Sequence, residues 1–372
     1  MLPLQAEFHI SRADANSSVL ILFLGAIFMV PLAGKMLDRY SVRTLVVSGA
    51  LAFGGALAGI ALSHSLWLMA LLLLIPAALG FGLIGPVTTS TLATRWFWKR
   101  RGLALGLAAI ATSGGGLVVV PLLARAIQNN GWRAGLLAEA GIIAAIVIVM
   151  TLVFVRDRPE QMGLQDHPEN QGRLAAQREA PRWLVMLASR AFWVPALSLA
   201  SISGICQAVV VTLVPYGVAL GVAPPRAALA ISVFAICAAA TKIVAGLLAD
   251  HVQPLRLIIA AILFMALAQA LLWLMPGFGA LVVGAGLAGT ALGCALPTAA
   301  GMLANAFGSA VFGSAMGTTF ALMAAGSLIA TRFIGMVYDA SHRYDAGFET
   351  FLVAMAVVLA AALLLKPRVP AP

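Results

Sequence analysis

Two polar stretches within a nearly uncharged chain decide the fold. Residues 34–43 read GKMLDRYSVR, and residues 246–256 read GLLADHVQPLR. Each follows a long apolar run and places an aspartate four positions after a glycine, with an arginine five or six positions further on. Gly246 stands 212 positions after Gly34. Such a recurrence predicts that one structural unit occurs twice in the chain.

The composition predicts an integral membrane protein. Of the 372 residues, 62% are hydrophobic and 10% are charged, and the mean hydropathy is +1.02, whereas soluble domains contain about 25% charged residues. Residues 44–94, 191–225 and 257–331 contain no Asp, Glu, Lys or Arg, and each is long enough for at least one span of about 20 residues. These runs lack the polar alternation of barrel strands, so the fold is predicted to be all-α.

Charges, prolines and turn residues divide the apolar runs into eleven predicted helices. Their ranges are 15–37, 43–63, 66–93, 102–127, 133–155, 192–220, 226–249, 256–275, 279–304, 309–337 and 347–365. The first five form an amino-terminal half over residues 1–155, and the last six form a carboxy-terminal half over residues 192–372. Between the halves, residues 156–191 carry eleven charged side chains, which is typical of a solvated linker.

The distribution of Lys and Arg predicts the orientation. If the linker is cytoplasmic, sixteen of these residues face its side and six face the other, with Lys242 inside the membrane. The positive-inside rule then predicts a multi-pass protein of the cell (inner) membrane, with a cytoplasmic carboxy terminus and an external amino terminus. The net charge of +10 is thereby assigned to topology, and no nucleic-acid partner is expected.

The repeat extends beyond the two opening stretches. A displacement of 211 positions places three residues of the first half on three of the second, namely Gly102 on Gly313, Ala104 on Ala315 and Gly106 on Gly317. The halves are therefore predicted to be parallel, pseudo-symmetric repeats, with one helix missing at the start of the first. The repeated aspartates can pair across the halves or cap a helix end, and the alternative is that they lie in ordinary positive-inside loops.

The two stretches resemble a motif of the major facilitator superfamily. That family carries G-x-x-x-D-R-x-G-R-R in the loop after its second helix, and a second copy follows its eighth helix. Ser41 and Val42 depart from this pattern. The resemblance and the repeat imply that a group of residues controls conformational change: Gly34, Asp38, Arg39, Arg43, Arg100, Arg101, Gly102, Gly106, Gly246, Asp250 and Arg256.

A narrower resemblance involves WFWKRRGLALGLAAIATSG at 96–114. It is similar to the signature before the fifth helix of monocarboxylate porters and oxalate/formate antiporters. GWRAGL at 131–136 and RDRPEQMGLQ at 156–165 are similar to the bacterial branch. FHISRADANSS at 8–18 resembles the loop between the first two family helices, so the chain is expected to begin after the first helix. The resemblance implies a monomeric transporter without a cofactor.

Lys242 is the predicted substrate-binding cation. It lies eight residues before Asp250, which is about 12 Å along a helix and near the midplane of a core about 30 Å thick. Such a residue usually faces a cavity or a partner, and the alternative is a side chain that snorkels to the surface. The family places a substrate-binding arginine four residues before the glycine that Gly246 matches. A carboxylate suits the ammonium, so a monocarboxylate-like organic anion is the predicted substrate.

Neutral side chains and a proton carrier complete the predicted site. Five residues can donate hydrogen bonds to a substrate or instead make contacts between helices: Gln207, Tyr216, Thr241, Ser113 and Asn305. Glu139 and Arg125 are expected to form an ion pair, and the alternative is that Glu139 carries a proton. Inward movement of a monoanion against 100 mV costs about 2.3 kcal/mol, and one cotransported proton cancels that charge. The sequence therefore predicts a proton-coupled secondary transporter working by alternating access, although efflux and exchange stay open.

Other functions find less support in the sequence. An enzyme would require a polar catalytic cluster at membrane depth, and the three cysteines form no CxxC pair that suggests a metal site. No GxxxxGK[ST] phosphate loop of a primary pump occurs. Two alternatives are kept: a membrane sensor that binds its ligand without transporting it, and a transporter of a different small solute.

Overall fold

The protein is helical throughout the part of the chain that the structure describes. The computed structural model describes residues 7–8, 12–97, 100–157, 162–163 and 183–364, with the backbone alone at 12–17, 111–122, 124, 128 and 183–184. No strand occurs in these ranges. The helices are α1 (Arg12–Arg39), α2 (Val42–Leu62), α3 (Leu66–Trp96), α4 (Arg101–Phe154), α5 (Trp183–Ala188), α6 (Arg190–Ala219), α7 (Pro224–Ala249), α8 (Pro254–Leu274), α9 (Phe278–Phe307), α10 (Phe312–Ser341) and α11 (Asp345–Leu364).

Ten of the helical segments in the described ranges are long and apolar enough to cross a membrane, and the protein is a multi-pass membrane protein. They match ten of the eleven predicted spans. The remaining one, predicted over 102–127, is helical backbone inside α4, of which Arg101–Ile110 counts as a shorter apolar helix. α4 is two helices that meet at Gly131, whose φ of 80° lies in the region that favours glycine.

α3 is one span with two local irregularities. Its residues Leu73–Ala77 form a π-helical turn that contains Pro76. Proline has no N–H to donate to the preceding turn, and π turns inside α-helices accommodate such interruptions. A second break occurs at Gly85, where the backbone is extended before the helix restarts at Pro86.

The chain divides into two compact units whose boundaries cross the sequence. Unit 1 comprises Met1–Trp96, Gly114–Ala180 and Ser309–Ala321, and unit 2 comprises Phe97–Ser113, Pro181–Gly308 and Leu322–Pro372. The start of α4 therefore belongs to unit 2, and the start of α10 belongs to unit 1. The halves predicted at 1–155 and 192–372 stay a prediction, since most of the predicted linker lies outside the described residues.

Each unit is built from closely packed helices. In unit 1, α3 packs against α1 and α2. In unit 2, α9 packs against α6, α7 and α8, while α11 packs against α8. Ile258, Ile262 and Met265 are fully buried on α8. Because lipid is as apolar as these side chains, close packing rather than exclusion from water favours such contacts.

Candidate functional site

α4 and α7 touch each other at three glycines of unit 2. A Cβ atom added to Gly106 would lie 2.7 Å from the carbonyl oxygen of Lys242 and 3.0 Å from the Cα of Gly246. One added to Gly102 would lie 2.7 Å from the Gly246 carbonyl oxygen. Any larger residue would push the two helices apart, so these positions hold the backbones in contact.

Asp250 caps the start of α4 immediately beside this crossing. Its Oδ1 accepts a hydrogen bond from the Gly102 N–H at 2.8 Å, and its Oδ2 accepts one from the Leu103 N–H at 3.2 Å. The first N–H groups of a helix have no partner within the helix, and the helix dipole favours a negative charge at this end. The carboxylate therefore stabilises the start of α4 and joins it to the end of α7.

Asp38 caps α10 within unit 1 in the same manner. Its Oδ1 accepts from the Gly313 N–H at 2.7 Å, and its Oδ2 accepts from the N–H and the Oγ–H of Ser314 at 2.7 and 2.5 Å. Gly34 packs against the Gly313 carbonyl group. The residues that the sequence repeat superimposes thus make equivalent contacts. Of the arrangements considered for the aspartates, capping of a helix end is the one observed.

The arginine and serine of the first stretch bind the end of α4. The Arg43 N–H donates to Asp157 Oδ1 at 3.1 Å, and Arg43 Nη2 donates to the Leu152 carbonyl oxygen at 2.7 Å. Ser41, which departs from the family motif, caps α2 and donates to Asp157 Oδ2 at 2.6 Å. Asp157 was not predicted as a partner, although it lies in the segment 156–165 that resembles the bacterial branch. Arg39 is exposed and lies over the Tyr40 ring.

The arginines at the start of α4 differ in their surroundings. Arg101 is 9% exposed, and its Nη1 donates to Asn305 Oδ1 at 3.3 Å. Asn305 stands two residues before the end of α9. Its side-chain oxygen therefore makes the contact between helices that was the alternative to a substrate role, and its role as a substrate ligand stays a prediction. Arg100 and Arg256 are exposed.

Lys242 is 6% exposed, which confirms the predicted burial. α7 has 26 residues, so Lys242 lies about 27 Å along the helix from Pro224 and about 10 Å from Ala249. The lysine is thus about 8 Å from the middle of the helix, towards Asp250, rather than at its centre. Its carbonyl group lies at the glycine crossing, one turn before Gly246. The cavity that its ammonium is predicted to face stays a prediction.

Two of the neutral candidates, Tyr216 and Thr241, contact neighbouring helices. The Tyr216 hydroxyl donates to the Leu272 carbonyl oxygen at 2.8 Å, and its ring packs edge-on against Tyr344 and Phe348. Thr241 packs against α9, with its Cβ 3.0 Å from where a Cβ on Gly293 would lie. These two residues make the contacts between helices that were the alternative to a substrate role.

The substrate role of all five neutral candidates stays a prediction, including that of Gln207 and Ser113. Gln207 is half-buried on α6. The Ser113 side chain lies outside the described part of the structure.

The predicted pair of Arg125 and Glu139 is not found. Among the described residues, ion pairs join Arg133 to Glu7 and Arg343 to Asp345, and none joins Arg125 to Glu139. Both residues lie on α4, where Arg125 is exposed and Glu139 is half-buried. The role of Glu139 as a proton carrier stays a prediction.

A clamp at Arg133 was not predicted. Its Nη2 binds Glu7 Oε1 at 2.6 Å, and its Nη1 donates to the carbonyl oxygens of Ala61 and Ser63 at 2.5 and 2.8 Å. The hydrogen bonds from Arg133 and Trp132 lower the pKa of Glu7 below its ordinary value of 4.5. The clamp holds the end of α2 against the second part of α4, and the GWRAGL stretch was its signal in the sequence.

Comparison with known proteins identifies the family. The family model described as Major Facilitator Superfamily matches residues 1–218 and 207–372. The chain belongs to the major facilitator superfamily. The family assignment points to a transporter rather than an enzyme, and the resemblance inferred from the motifs is confirmed.

The similar proteins include two that are named as transporters and one that is named as a sensor. Mouse monocarboxylate transporter 11 is 29% identical over 86% of this chain and 71% of its own length. The uncharacterized MFS-type transporter YcxA of Bacillus subtilis is 28% identical over 43% of this chain and 39% of its own length. The membrane sensor protein UhpC of Escherichia coli is 30% identical over 42% of this chain.

Solved structures confirm the fold. The proton:xylose symporter XylE gives a TM-score of 0.78 at 17% identity and covers 99% of this chain and 90% of its own. FucP in the outward conformation gives a TM-score of 0.76 at 17% identity, with 98% and 93% covered. At 17% identity this similarity establishes the fold of the major facilitator bundle, but it does not indicate the substrate.

Proposed function

We propose that this superfamily member is a secondary transporter that carries a small organic anion of the monocarboxylate class by alternating access. The observation that carries the proposal is Lys242, a buried lysine beside the helix crossing at Gly106 and Gly246. A charged side chain at the centre of a spanning helix costs roughly 2.5 to 3.5 kcal/mol on insertion scales, and a charged residue within a span usually marks a substrate pathway. The similarity to a monocarboxylate transporter supports the same substrate class.

The chemistry of Lys242 favours a carboxylate ligand. An ammonium is a compact single positive charge with three hydrogen-bond donors. One carboxylate therefore neutralises its charge and accepts hydrogen bonds from it. The helices α6 and α9, which pack against α7, are predominantly apolar, and a small acid with an aliphatic body would match such surroundings. We place Gln207 as a second donor and omit Tyr216 and Asn305, whose polar groups bind the protein itself.

The two aspartate caps are the proposed gating elements. Asp38 and Asp250 each join the end of one helix to the start of another, and glycines keep both helix pairs in contact. Capping bonds contribute about 1 kcal/mol each and break without a change in the fold. Contacts of this strength suit a transporter, because each of its conformations must be left easily.

Proton coupling rests on Glu139 in this proposal. The residue is half-buried, and no ion pair with Arg125 is present among the described residues. A carboxyl that takes up a proton would cancel the charge of a monoanion and remove the cost of about 2.3 kcal/mol per 100 mV. XylE, which has a similar fold, is a proton:xylose symporter, so this kind of coupling is compatible with the bundle. The proposed location is the inner membrane, with the carboxy terminus in the cytoplasm.

Uptake of a labelled monocarboxylate such as lactate into proteoliposomes tests the proposal. Uptake should follow an imposed inward proton gradient, and Lys242→Gln should reduce it at least tenfold while insertion stays normal. Lys35→Gln, an exposed lysine on α1, is the matched control. Glu139→Gln should make uptake independent of the gradient, whereas Glu349→Gln should not. Equal uptake by wild type and Lys242→Gln contradicts the assignment of the site.

A second function is favoured by the similarity to UhpC, which is named a membrane sensor. A sensor would bind the acid through Lys242 without moving it across the membrane. Binding of labelled acid that depends on Lys242, together with uptake no faster than in protein-free vesicles, would assign this function instead.

A further inference from the structure

A cavity of about 410 Å³ lies at the end of α7, away from the proposed substrate lysine. Arg100, Leu103, Leu247, Asp250 and His251 line it, and all five belong to unit 2. Two of these residues are basic, two are apolar and one is acidic. Neither the family assignment nor the proposed transport function gives this cavity a ligand.

The polar side of the cavity suits an anion. The Arg100 guanidinium is exposed and offers planar, paired donors of the kind that bind phosphate oxygens. The His251 imidazole has at least one N–H in either protonation state. Asp250 does not reverse this preference, since both its oxygens accept N–H groups from the start of α4, where the helix dipole offsets its charge.

The apolar side of the cavity indicates where the anion comes from. Leu247 is 49% exposed and Leu103 is half-buried, so the basic groups stand at one end of an accessible apolar surface. α7 is a candidate membrane span that ends at Ala249, which places Asp250 and His251 at the level of the lipid headgroups. A free phosphate would use the basic groups alone, whereas a phospholipid would use both sides of the cavity.

We propose that this cavity binds the phosphate group of an anionic glycerophospholipid. Arg100 and His251 hold the phosphate oxygens, and the upper part of an acyl chain lies along Leu103 and Leu247. Because Asp250 is both a wall of the cavity and the cap of α4, the lipid also covers the contact between α4 and α7. Basic pockets at the cytoplasmic ends of spans are suited to such headgroups.

Native mass spectrometry of the purified full-length protein in detergent tests this assignment. Phosphatidylglycerol and phosphatidylcholine are titrated separately, and phosphatidylglycerol should bind more tightly, because the choline ammonium repels Arg100. Arg100→Gln should weaken phosphatidylglycerol binding about fivefold, the effect expected of one arginine near a membrane surface. Arg190→Gln is the matched control, an exposed arginine of unit 2 that does not line the cavity, and it should bind like wild type.

Further variants distinguish a bound phospholipid from a free anion. Leu247→Asn should also weaken phosphatidylglycerol binding, and Arg100→Lys should restore most of what Arg100→Gln loses. Melting temperatures measured without lipid identify any variant that is unfolded. Phosphatidylglycerol binding that is equal in wild type and Arg100→Gln overturns the proposal. Competition by millimolar inorganic phosphate, unaffected by Leu247→Asn, would assign the cavity to a free anion and overturn it as well.

Discussion

At the scale of single residues, the aspartates of the two repeated stretches illustrate what a sequence can predict. The spacing from Gly34 to Asp38 recurs from Gly246 to Asp250, and this recurrence was enough to expect equivalent contacts. The sequence left two roles for Asp38, namely pairing with an arginine and capping a helix end. Its observed partners, Gly313 and Ser314, lie 275 and 276 positions away in the chain. A single sequence contains no signal that selects one partner at such a distance.

The same limit applies to the polar residues that were proposed as substrate ligands. Asn305 and Tyr216 were proposed as ligands because they are polar residues inside apolar helices. Their polar groups instead bind Arg101 and the Leu272 carbonyl oxygen. A buried polar group needs a hydrogen-bond partner, but that requirement does not say whether the partner is substrate or protein. The burial of Lys242 was predicted correctly, because eight helical residues separate it from Asp250, but its position at the midplane was not.

Asp38→Asn tests the cap on α10. The substitution keeps the shape of the side chain but replaces one acceptor oxygen with a donor, so one of the N–H groups of Gly313 and Ser314 loses its partner. We expect the protein to lose about 1 kcal/mol of stability, measured as a lower melting temperature in detergent. Asp339→Asn is the control, an exposed aspartate near the other end of α10. Equal melting temperatures for the two variants would show that the cap does not stabilise the helix.

At the scale of helices, the sequence predicted where each helix begins and ends better than which helices contact each other. The span predicted over 192–220 is observed as Arg190–Ala219, and the one predicted over 256–275 is observed as Pro254–Leu274. Apolar runs bounded by charges and prolines fix such limits directly. The crossing of α4 and α7 was not predicted, because Gly102 and Gly246 are far apart in the chain and both also fit ordinary lipid-facing helices.

Gly106→Ala tests the crossing. The added methyl group would lie 2.7 Å from the Lys242 carbonyl oxygen and 3.0 Å from the Gly246 Cα, and backbone atoms on both sides leave it no room. We expect a destabilisation of about 1 to 3 kcal/mol, together with reduced uptake, because Lys242 moves with α7. Gly301→Ala is the matched control on α9, where an added Cβ would meet nothing within 4 Å. It should be neutral or slightly stabilising, since alanine favours helices over glycine. Equal melting temperatures for Gly106→Ala and Gly301→Ala would show that the close contact at the crossing does not stabilise the protein.

At the scale of the whole molecule, α4 decides the number of membrane crossings. α4 has 54 residues and would be about 80 Å long as one straight helix, far more than a core about 30 Å thick. The left-handed φ of Gly131 marks the point where the chain can turn back. Two crossings would give the eleven spans predicted from the division of the apolar runs, and a single crossing would give ten.

The number of crossings determines on which side two loops lie. His64 is exposed between α2 and α3, and Gln253 is exposed between α7 and α8. If α4 crosses twice, five spans separate these residues and they lie on opposite sides, with His64 outside by the positive-inside rule. If α4 crosses once, four spans separate them and they lie on the same side.

Cysteine labelling distinguishes these arrangements. In a background in which Cys206, Cys237 and Cys294 are replaced by alanine, His64→Cys and Gln253→Cys are each exposed to a membrane-impermeant maleimide. We expect His64→Cys to react in intact cells and Gln253→Cys to react only after permeabilisation, because the repeat and the charge bias both require two crossings. Reaction of both variants in intact cells would mean that α4 crosses once. The reverse pattern would keep the two crossings and contradict the orientation inferred from Lys and Arg.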